Sequence, residues 1–297
     1  MPSTRDIRRR IKSVKSTAQI TKAMQLVAAA KMKKAQDQAT NGRAYAETLN
    51  KILVALRDAA EDGSHPYFDE GKGGKTLVVV IASDKGLCGA LNTNLFKKLL
   101  SVKLEGEVDY VTVGRKASQT LSRLRKNLVA DFPIKDPAKF SDLRAVGNFV
   151  QEKFRTGSYK TLLVAFNNFI NTVTIVPTVE QLLPVDKVTL GGKRNFEGMG
   201  TGLEVQETSL DVPQYTFEPD ASTVFDTVLP QYVNNTLYQM LMEARASEHS
   251  SRMVAMKNAT DNAKQMLKDL SLEYNKLRQA AITNELLEIT TAKMALE

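Results

Sequence analysis

The sequence predicts an α/β domain inserted between two long helices that pair as an antiparallel coiled coil. Residues 3–61 contain no proline and a single glycine, and residues 231–294 contain neither. Between these segments, β-branched apolar runs alternate with helical patterns, which is typical of a mostly parallel sheet. We therefore divide the chain into an N-terminal coiled-coil helix (1–61), an α/β head domain (75–215) and a C-terminal coiled-coil helix (220–297).

The first long helix is predicted from its cap and from the spacing of its apolar residues. Ser3 or Thr4 can cap the helix, with Asp6 in the first turn. The apolar residues step by three and four positions and slip sideways between runs, as a repeat of about 3.5 residues must on a helix of about 3.6 residues per turn. The runs are Ile7, Ile11, Val14 and Ala18; Ile20, Met24 and Val27; Ala28, Met32, Ala35 and Ala39; and Leu49, Leu53 and Leu56.

The second long helix is predicted to start near Ser222, with Pro230 in its first turn. Its apolar residues alternate steps of three and four without a break, which is typical of a coiled-coil seam. The seam residues are Met253, Met256, Thr260, Ala263, Leu267, Leu270, Tyr274, Leu277 and Ala281. Beyond them the apolar positions move to Ile282, Leu286 and Ile289, so this end of the helix is expected to find its partner in another chain.

The segment between the long helices predicts a Rossmann-like domain, because each of its first three apolar strands is followed by a helical pattern. The predicted strands are 75–83, 108–114, 128–134 and a pair within 160–185 that turns near Asn167 and Asn168. The predicted helices are 91–100, 115–127 and 140–157. Residues 185–215 are rich in glycine and polar residues and are expected to form a loop or hairpin.

Positive charge is concentrated in the N-terminal segment. Residues 1–61 hold 13 Lys/Arg and 5 Asp/Glu, a surplus of +8 that equals the net charge of the whole chain. Their partner is therefore expected to be acidic: nucleic acid, anionic lipid or an acidic protein surface. No window approaches the roughly 18 consecutive apolar residues of a membrane span. The basic start also lacks the apolar region of a secretory signal.

The motifs provide no catalytic, cofactor-binding or metal-binding residues. The stretch SDKGLCGALNTN (83–94) matches neither a phosphate-loop nor a dinucleotide-binding pattern, so a structural turn is expected. Cys88, the single cysteine, has no histidine nearby in its segment to activate it. His65 and His249 are far apart in sequence, which argues against a metal site. The carboxylates near strand ends, which show no spacing for acid–base work, are Asp84, Asp109 and Asp131.

Four stretches carry a family resemblance. They are ITKAMQLVAAAKMKKAQ (20–36), SDKGLCGALNTNLFKKLL (83–100), ASEHSSRMVAMKNATDNAKQM (246–266) and YNKLRQAAITNELLEI (274–289). Together they resemble the gamma subunit of the F-type ATP synthase, and they lie in both long helices and in the head. The resemblance implies a central rotor shaft, a non-catalytic subunit without a cofactor, whose coiled coil penetrates a hexamer of alternating alpha and beta subunits.

The resemblance also implies a mechanism and a set of partners. Ion-driven rotation of the membrane ring would turn the shaft and push each beta subunit through open, loose and tight states. The implied partners are three alpha and three beta subunits, an epsilon subunit and the membrane c-ring, with no nucleic acid and no insertion into the bilayer. The lack of a recognisable transit peptide favours a bacterial plasma membrane, with the chain peripheral on the cytoplasmic side.

Residue roles carry over from the motifs. Met24, Arg252 and Lys22 resemble the family's shaft positions near the levers of the beta subunits. The family's catch, a group of side chains that hydrogen-bonds beta-subunit loops, is matched by Arg278, Gln279, Thr283 and Glu285. The family's foot, the part that touches the membrane ring, is matched by Tyr215 and Glu218. An acidic lever would also be attracted to the basic partner face Arg8, Arg9 and Arg10.

Two functions from other classes stay open. The basic first helix suits a coiled-coil protein that binds nucleic acid, which would show steeply salt-dependent binding to duplex DNA. Residues 83–94 would serve a nucleotide-binding enzyme, which would show ATP binding to the isolated chain by calorimetry.

Overall fold

The computed structural model describes residues 3–59, 65–104, 106–185 and 215–296. The predicted loop or hairpin over 185–215 therefore lies almost entirely outside the described residues.

Two compact units make up the chain. One combines Met1–Ala28 with Arg252–Glu297, and the other is Ala29–Ser251. We call them the coiled-coil unit and the head unit. The helices α1 (Thr4–Ala59) and α5 (Ala221–Leu296) each contribute to both units. The three-segment division drawn from the sequence partitions the chain differently and stays a prediction.

The head unit contains a five-stranded sheet. Its elements are β1 (Lys75–Ile81), α2 (Leu91–Ser101), β2 (Val108–Val113), α3 (Arg115–Arg123), β3 (Asn127–Phe132), α4 (Phe140–Arg155), β4 (Tyr159–Phe169) and β5 (Ile175–Leu183). The strand order is β3-β2-β1-β4-β5, with parallel pairing from β3 to β4 and an antiparallel β5. This mixed sheet between two long helices confirms the predicted fold class.

Alternate residues of the buried strands point to opposite faces of the sheet, and each face packs against its own hydrophobic core. Val78 and Val80 of β1 face α2 and α3. Leu77 and Val79 face α4 and the head-unit parts of α1 and α5. Both faces of the central strand are therefore apolar, which explains the continuous β-branched run in its sequence.

The hairpin between β4 and β5 turns later than predicted. Asn167, where the turn was expected, is buried within β4 and pairs in register with Pro177. The chain turns instead after Phe169, because the Asn171 side-chain oxygen accepts the N–H groups of Val173 and Thr174 at 2.9 and 2.7 Å. A local asparagine turn thus fixed the register.

The predicted start of each long helix is close to the observed one, since α5 begins at Ala221, next to the predicted Ser222, but Pro230 was placed wrongly. Ser3 caps α1, since its hydroxyl accepts the N–H of Asp6 at 3.2 Å while the Asp6 carboxylate accepts from the Ser3 backbone at 3.3 Å. Pro230 does not lie in the first turn of α5 but inside the helix. The cap of α5 is Asp220, which accepts the N–H of Thr223 at 2.8 Å.

Helix α4 packs closely on α5 at Gly147. A Cβ at this position would lie 1.8 Å from the side-chain oxygen of Asn234. That oxygen already accepts a 2.8 Å hydrogen bond from Gln151. We expect Gly147→Ala to displace Asn234 and lower the free energy of unfolding by about 1–3 kcal/mol, as overpacking does. Thermal or urea unfolding of the full chain measures it.

The matched control is Gly42→Ala in α1, where an added Cβ meets nothing within 4 Å. This substitution should stabilise the chain by about 0.5–1 kcal/mol, because alanine favours the helix. Equal stabilities for the two variants would show that Asn234 moves aside at no cost.

Candidate functional site

The coiled-coil unit is held together by a seam between α1 and α5. The hydroxyls of Thr21 and Thr260 lie 2.7 Å apart and are both buried. Further toward the chain ends, the Arg8 guanidinium donates to the Tyr274 hydroxyl and lies 5.5 Å from the centre of that ring. From the Arg8–Tyr274 pair to the Thr21–Thr260 pair, the residue number rises in α1 and falls in α5. The two helices therefore run antiparallel, which confirms the predicted coiled coil.

The seam of α1 is continuous, contrary to the predicted sideways slip. Ile20 and Val27, which were assigned to the stripe, are 57% and 56% exposed. Thr21 and Ala28 are buried in their place. The prediction failed because it passed over a polar residue. A threonine can occupy a seam once its hydroxyl has a partner.

The seam of α5 ends earlier than predicted. Met256, Ala263 and Leu270 are buried, whereas Ala281 is exposed to solvent. All described side chains from 278 to 294 are exposed. This stretch includes Ile282, Leu286, Leu287, Ile289 and Met294, so α5 ends in an apolar, uncovered segment. We call residues 278–294 the exposed end of α5.

The predicted catch residues lie at the beginning of this exposed end. Arg278, Gln279, Thr283 and Glu285 are all exposed. The Thr283 hydroxyl donates to the Gln279 carbonyl at 2.9 Å, which fixes its rotamer and leaves its oxygen able to accept a bond. The four side chains offer donors and acceptors to another molecule.

The predicted shaft residues all belong to the coiled-coil unit but do not form one contact. Met24 and Arg252 are half-buried, and Lys22 is exposed with its ammonium 3.3 Å from Gln25. Met24 follows Thr21 by three residues, so in the antiparallel coiled coil it lies opposite about residue 257, three residues before Thr260. Arg252 therefore lies roughly 7 Å further along the axis.

The predicted basic partner face divides in two. Arg8 is engaged by Tyr274, and this contact raises the pKa of its guanidinium. All three arginines are exposed, and an acidic partner can reach Arg9 and Arg10 without breaking the contact between Arg8 and Tyr274.

The predicted foot precedes α5 in the head unit. Tyr215 and Glu218 are exposed. The Tyr215 ring lies 6.3 Å from Phe217, whose half-buried side chain packs against the core that contains Phe225. The foot side chains thus project from a segment that is anchored by one apolar residue.

A charged cluster in the head unit was missed by sequence analysis. Arg245 is only 5% exposed, and its guanidinium contacts Asp84 at 3.3 Å, Glu248 at 3.0 Å and the Ile134 carbonyl at 2.8 Å. Its signal in the sequence was a run, EARASEHSS, in which charged residues alternate with small ones. Small residues let neighbouring elements approach the helix closely, and the buried charges then need partners from those elements.

Three elements meet at Asp136 in the same cluster. Its carboxylate oxygen lies 2.7 Å from the Lys31 ammonium of α1 and 3.4 Å from the buried His249 ring of α5. The hydrogen bond from His249 lowers the pKa of Asp136 most, and Lys31 lowers it further against the opposing effect of burial. The carboxylate is held ionised between the two long helices.

The turn at 83–94 is held by hydrogen bonds within the turn and to α5. Cys88 is buried, and the Asn92 amide donates to its sulfur at 3.6 Å and to the Ser83 hydroxyl at 2.8 Å. The Ser251 hydroxyl of α5 donates to the Cys88 carbonyl at 2.6 Å. The turn therefore uses its polar groups to attach α5 to the sheet.

The strand-end carboxylates have structural partners as well. Asp109 accepts from Tyr159 at 2.9 Å, which together with burial raises the pKa of that phenol to about 12. Asp131 accepts from the Thr112 hydroxyl at 2.7 Å. Within the described ranges, no cluster of His, Cys, Asp and Glu could hold a metal ion. No helix in those ranges has an apolar stretch long enough to cross a bilayer.

The Asp136 cluster predicts a pH-dependent contribution to stability. The folded-state pKa lies below the ordinary value of 3.8, so the stabilisation is complete above that pH and is lost as the pH falls through and below it. Asp136→Asn should cost about 1–2 kcal/mol near neutral pH, a modest value because the side chain is 27% exposed. Urea unfolding at several pH values measures it.

The matched control is Glu107→Gln, which removes the carboxylate partner of Lys75. The Glu107 side chain is 75% exposed. The substitution should change stability little at any pH. A difference between wild type and Asp136→Asn that stays constant from neutral pH to below pH 3.8 would contradict the assignment.

Comparisons with known proteins agree with this architecture. A family model described as ATP synthase matches residues 3–296. The ATP synthase gamma chain of Opitutus terrae is 46% identical over 297 residues and covers 99% of each chain. That of Akkermansia muciniphila is 45% identical and covers both chains completely.

A solved structure shares the fold. A chain from the central stalk and c-ring structure of the Tetrahymena thermophila mitochondrial ATP synthase aligns with a TM-score of 0.57 and 27% identity. The alignment covers 81% of this chain and 99% of that one. The named relatives are single chains of a larger enzyme, and their match extends through both long helices and the sheet. This chain belongs to the ATP synthase gamma chain family.

Proposed function

We propose that the chain is the central rotating shaft that couples ion-driven rotation of the membrane ring to conformational cycling of the catalytic beta subunits. The exposed end of α5 carries the proposal, because it presents Ile282, Leu286 and Ile289 to solvent beyond the last buried seam residue. A long helix that ends uncovered and apolar requires a surrounding partner.

The proposed mechanism needs no catalytic residue in this chain. A shaft whose sides differ makes different contacts with each of several identical partners, and so favours a different conformation in each of them. The outer surface of α1 in the coiled coil carries the exposed apolar residues Ile20, Leu26 and Val27, and such a patch would give one side of the shaft contacts that a charged side does not offer. Rotation would then move this asymmetry from one beta subunit to the next.

The proposed partners follow from this role. We assign three alpha and three beta subunits around the coiled coil, with an epsilon subunit and the c-ring at the head. Met24, Lys22 and Arg252 would meet the beta-subunit levers, Arg278 to Glu285 would form the catch, and Tyr215 with Glu218 would contact the ring. The chain would be peripheral on the cytoplasmic side of a bacterial plasma membrane, without inserting into the bilayer and without binding nucleic acid.

Native mass spectrometry tests the assembly. The complex is purified through a tag on this chain and released without denaturation. The expected mass corresponds to one copy of this chain with three copies of each of two larger subunits. A monodisperse homodimer of the tagged chain would overturn the proposal, as would ATP binding to the isolated chain.

The exposed arginines predict a salt-dependent coupling. Reversing Arg9 and Arg10 to glutamate should reduce ion pumping per ATP hydrolysed, and the loss should be larger at low than at high ionic strength because salt screens exposed charges. Arg8 is left unchanged, since it is engaged by Tyr274. Pumping by membrane vesicles is followed with a pH-sensitive dye.

The control reverses Lys135 and Arg144, two exposed cations of the head unit, with the same change in charge. It should leave the salt dependence unaltered. A loss in the Arg9/Arg10 variant that is independent of salt would argue against an acidic partner at that face.

The exposed end predicts a difference between its tip and its catch. Deleting residues 290–297 should be tolerated, because the exposed end of α5 would keep Ile282, Leu286 and Ile289 for its apolar contact with a surrounding partner. Replacing Arg278 and Thr283 by alanine should lower ATPase activity of the complex roughly tenfold, as expected for lost charge-assisted hydrogen bonds. If the deletion alone abolished assembly, the tip would be a docking site.

A further inference from the structure

The head unit carries a second basic surface, which the net charge of the sequence conceals. Helices α2 and α3 pack on the same face of the sheet, where Leu95, Leu99 and Leu121 are buried in one core. Their outer sides and the turn after α3 present six exposed cations. These residues, the basic face, are Lys97, Lys98, Arg115, Arg123, Arg125 and Lys126.

Acidic residues are missing from this layer. Residues 85–104 and 110–130 contain nine Lys/Arg and no Asp or Glu, in a chain that has 41 and 33 overall. No carboxylate in the described part of the chain forms an ion pair with any member of the basic face. Other cations of the head unit are paired, as in Lys75–Glu107 and Lys160–Glu70.

Like charges on an uncompensated basic face repel one another, and such a face attracts an external anion. The cations run the whole length of α3, from Arg115 at its start to Arg123 at its end, and continue into the turn that follows. The helix alone separates Arg115 from Arg123 by about 12 Å, which suits an elongated partner better than a single bound phosphate.

Two kinds of elongated anion fit poorly. Helices that bind a membrane surface need an apolar side to enter it, but α2 and α3 bury that side against their own sheet. A single-stranded nucleic acid would stack on aromatic side chains between the cations, and the outer sides of α2 and α3 present none, because Phe96 is buried. A protein surface rich in carboxylates satisfies both conditions, since it needs neither insertion nor stacking.

We propose that the basic face binds an acidic protein surface beside the head, a contact separate from the catch, the shaft positions and the foot. The cations meet Asp and Glu side chains of one partner chain, and the complex forms fastest at low salt because the attraction is long-ranged. The proposal concerns the head alone and does not depend on rotation of the coiled coil.

Carbodiimide crosslinking tests the proposal on the native complex purified from membranes. The reagent joins lysine to carboxylate without a spacer, so it reports direct ion pairs. We expect crosslinks from Lys97, Lys98 or Lys126 to acidic peptides of one other identified subunit, and we expect high salt during the reaction to abolish them. Protection of the same lysines from acetylation in the complex gives a second measurement that needs no variant.

A matched pair of variants adds the control. Lys97→Glu with Lys98→Glu should weaken the remaining Lys126 crosslink at least tenfold, whereas Lys135→Glu with Arg144→Glu, outside the basic face, should not. Circular dichroism checks that both variants fold, and the wild-type crosslinks decide the question if either does not.

Three results would overturn the proposal. Crosslinks confined to this chain, with the lysines equally acetylated in the free chain and the complex, would show an unoccupied solvent face. Sedimentation of the full chain with phosphatidylglycerol-containing vesicles, reversed by the Lys97/Lys98 variant, would assign the face to lipid. Binding of duplex DNA lost in the same variant would assign it to nucleic acid.

Discussion

The head unit depends on the burial of one polar stretch of helix. Every residue of α5 from 241 to 250 is buried, although the stretch includes Arg245, Glu248 and His249. Its small residues allow close contact, and its serines donate to strand and turn carbonyls, as Ser247 does to Asn167 at 3.0 Å. A buried charge without a partner is costly, so each of these groups dictates where another element must lie.

The consequence is that α5 is positioned by specific contacts and not by apolar area alone. Arg245 fixes the turn after β1 through Asp84 and the end of the β3 segment through Ile134. His249 and Lys31 hold Asp136 between them. An all-apolar helix could slide along a sheet by a turn, whereas these ion pairs and hydrogen bonds are satisfied in one register only.

Sequence patterns predicted most of the fold, because long helices and buried strands express themselves in local periodicity. Two of the failures share one physical cause, which is that the decisive partner was distant. Thr21 looked unfit for a seam until Thr260 supplied its hydrogen bond, 239 residues away. Arg245 likewise gave no periodic signal, because its partner Asp84 lies 161 residues away. Asn171 was the exception, a local turn signal that was passed over for the adjacent asparagines.

The candidate site shows a similar division. The catch, shaft and foot residues came from motif resemblance, and their exposure is compatible with contact to other chains, but periodicity alone would not have selected them. The basic face was missed for a different reason. The net charge of residues 62–297 is zero. A net charge of zero does not show where acidic and basic side chains lie on the folded surface.

The exposed end of α5 has a consequence for the life of the chain before assembly. Until a partner covers Leu286, Leu287 and Ile289, the exposed end of α5 leaves an apolar surface in contact with water. Copies made in excess would stick to one another through it. We therefore expect the isolated chain to self-associate more readily than a chain whose exposed end of α5 is covered.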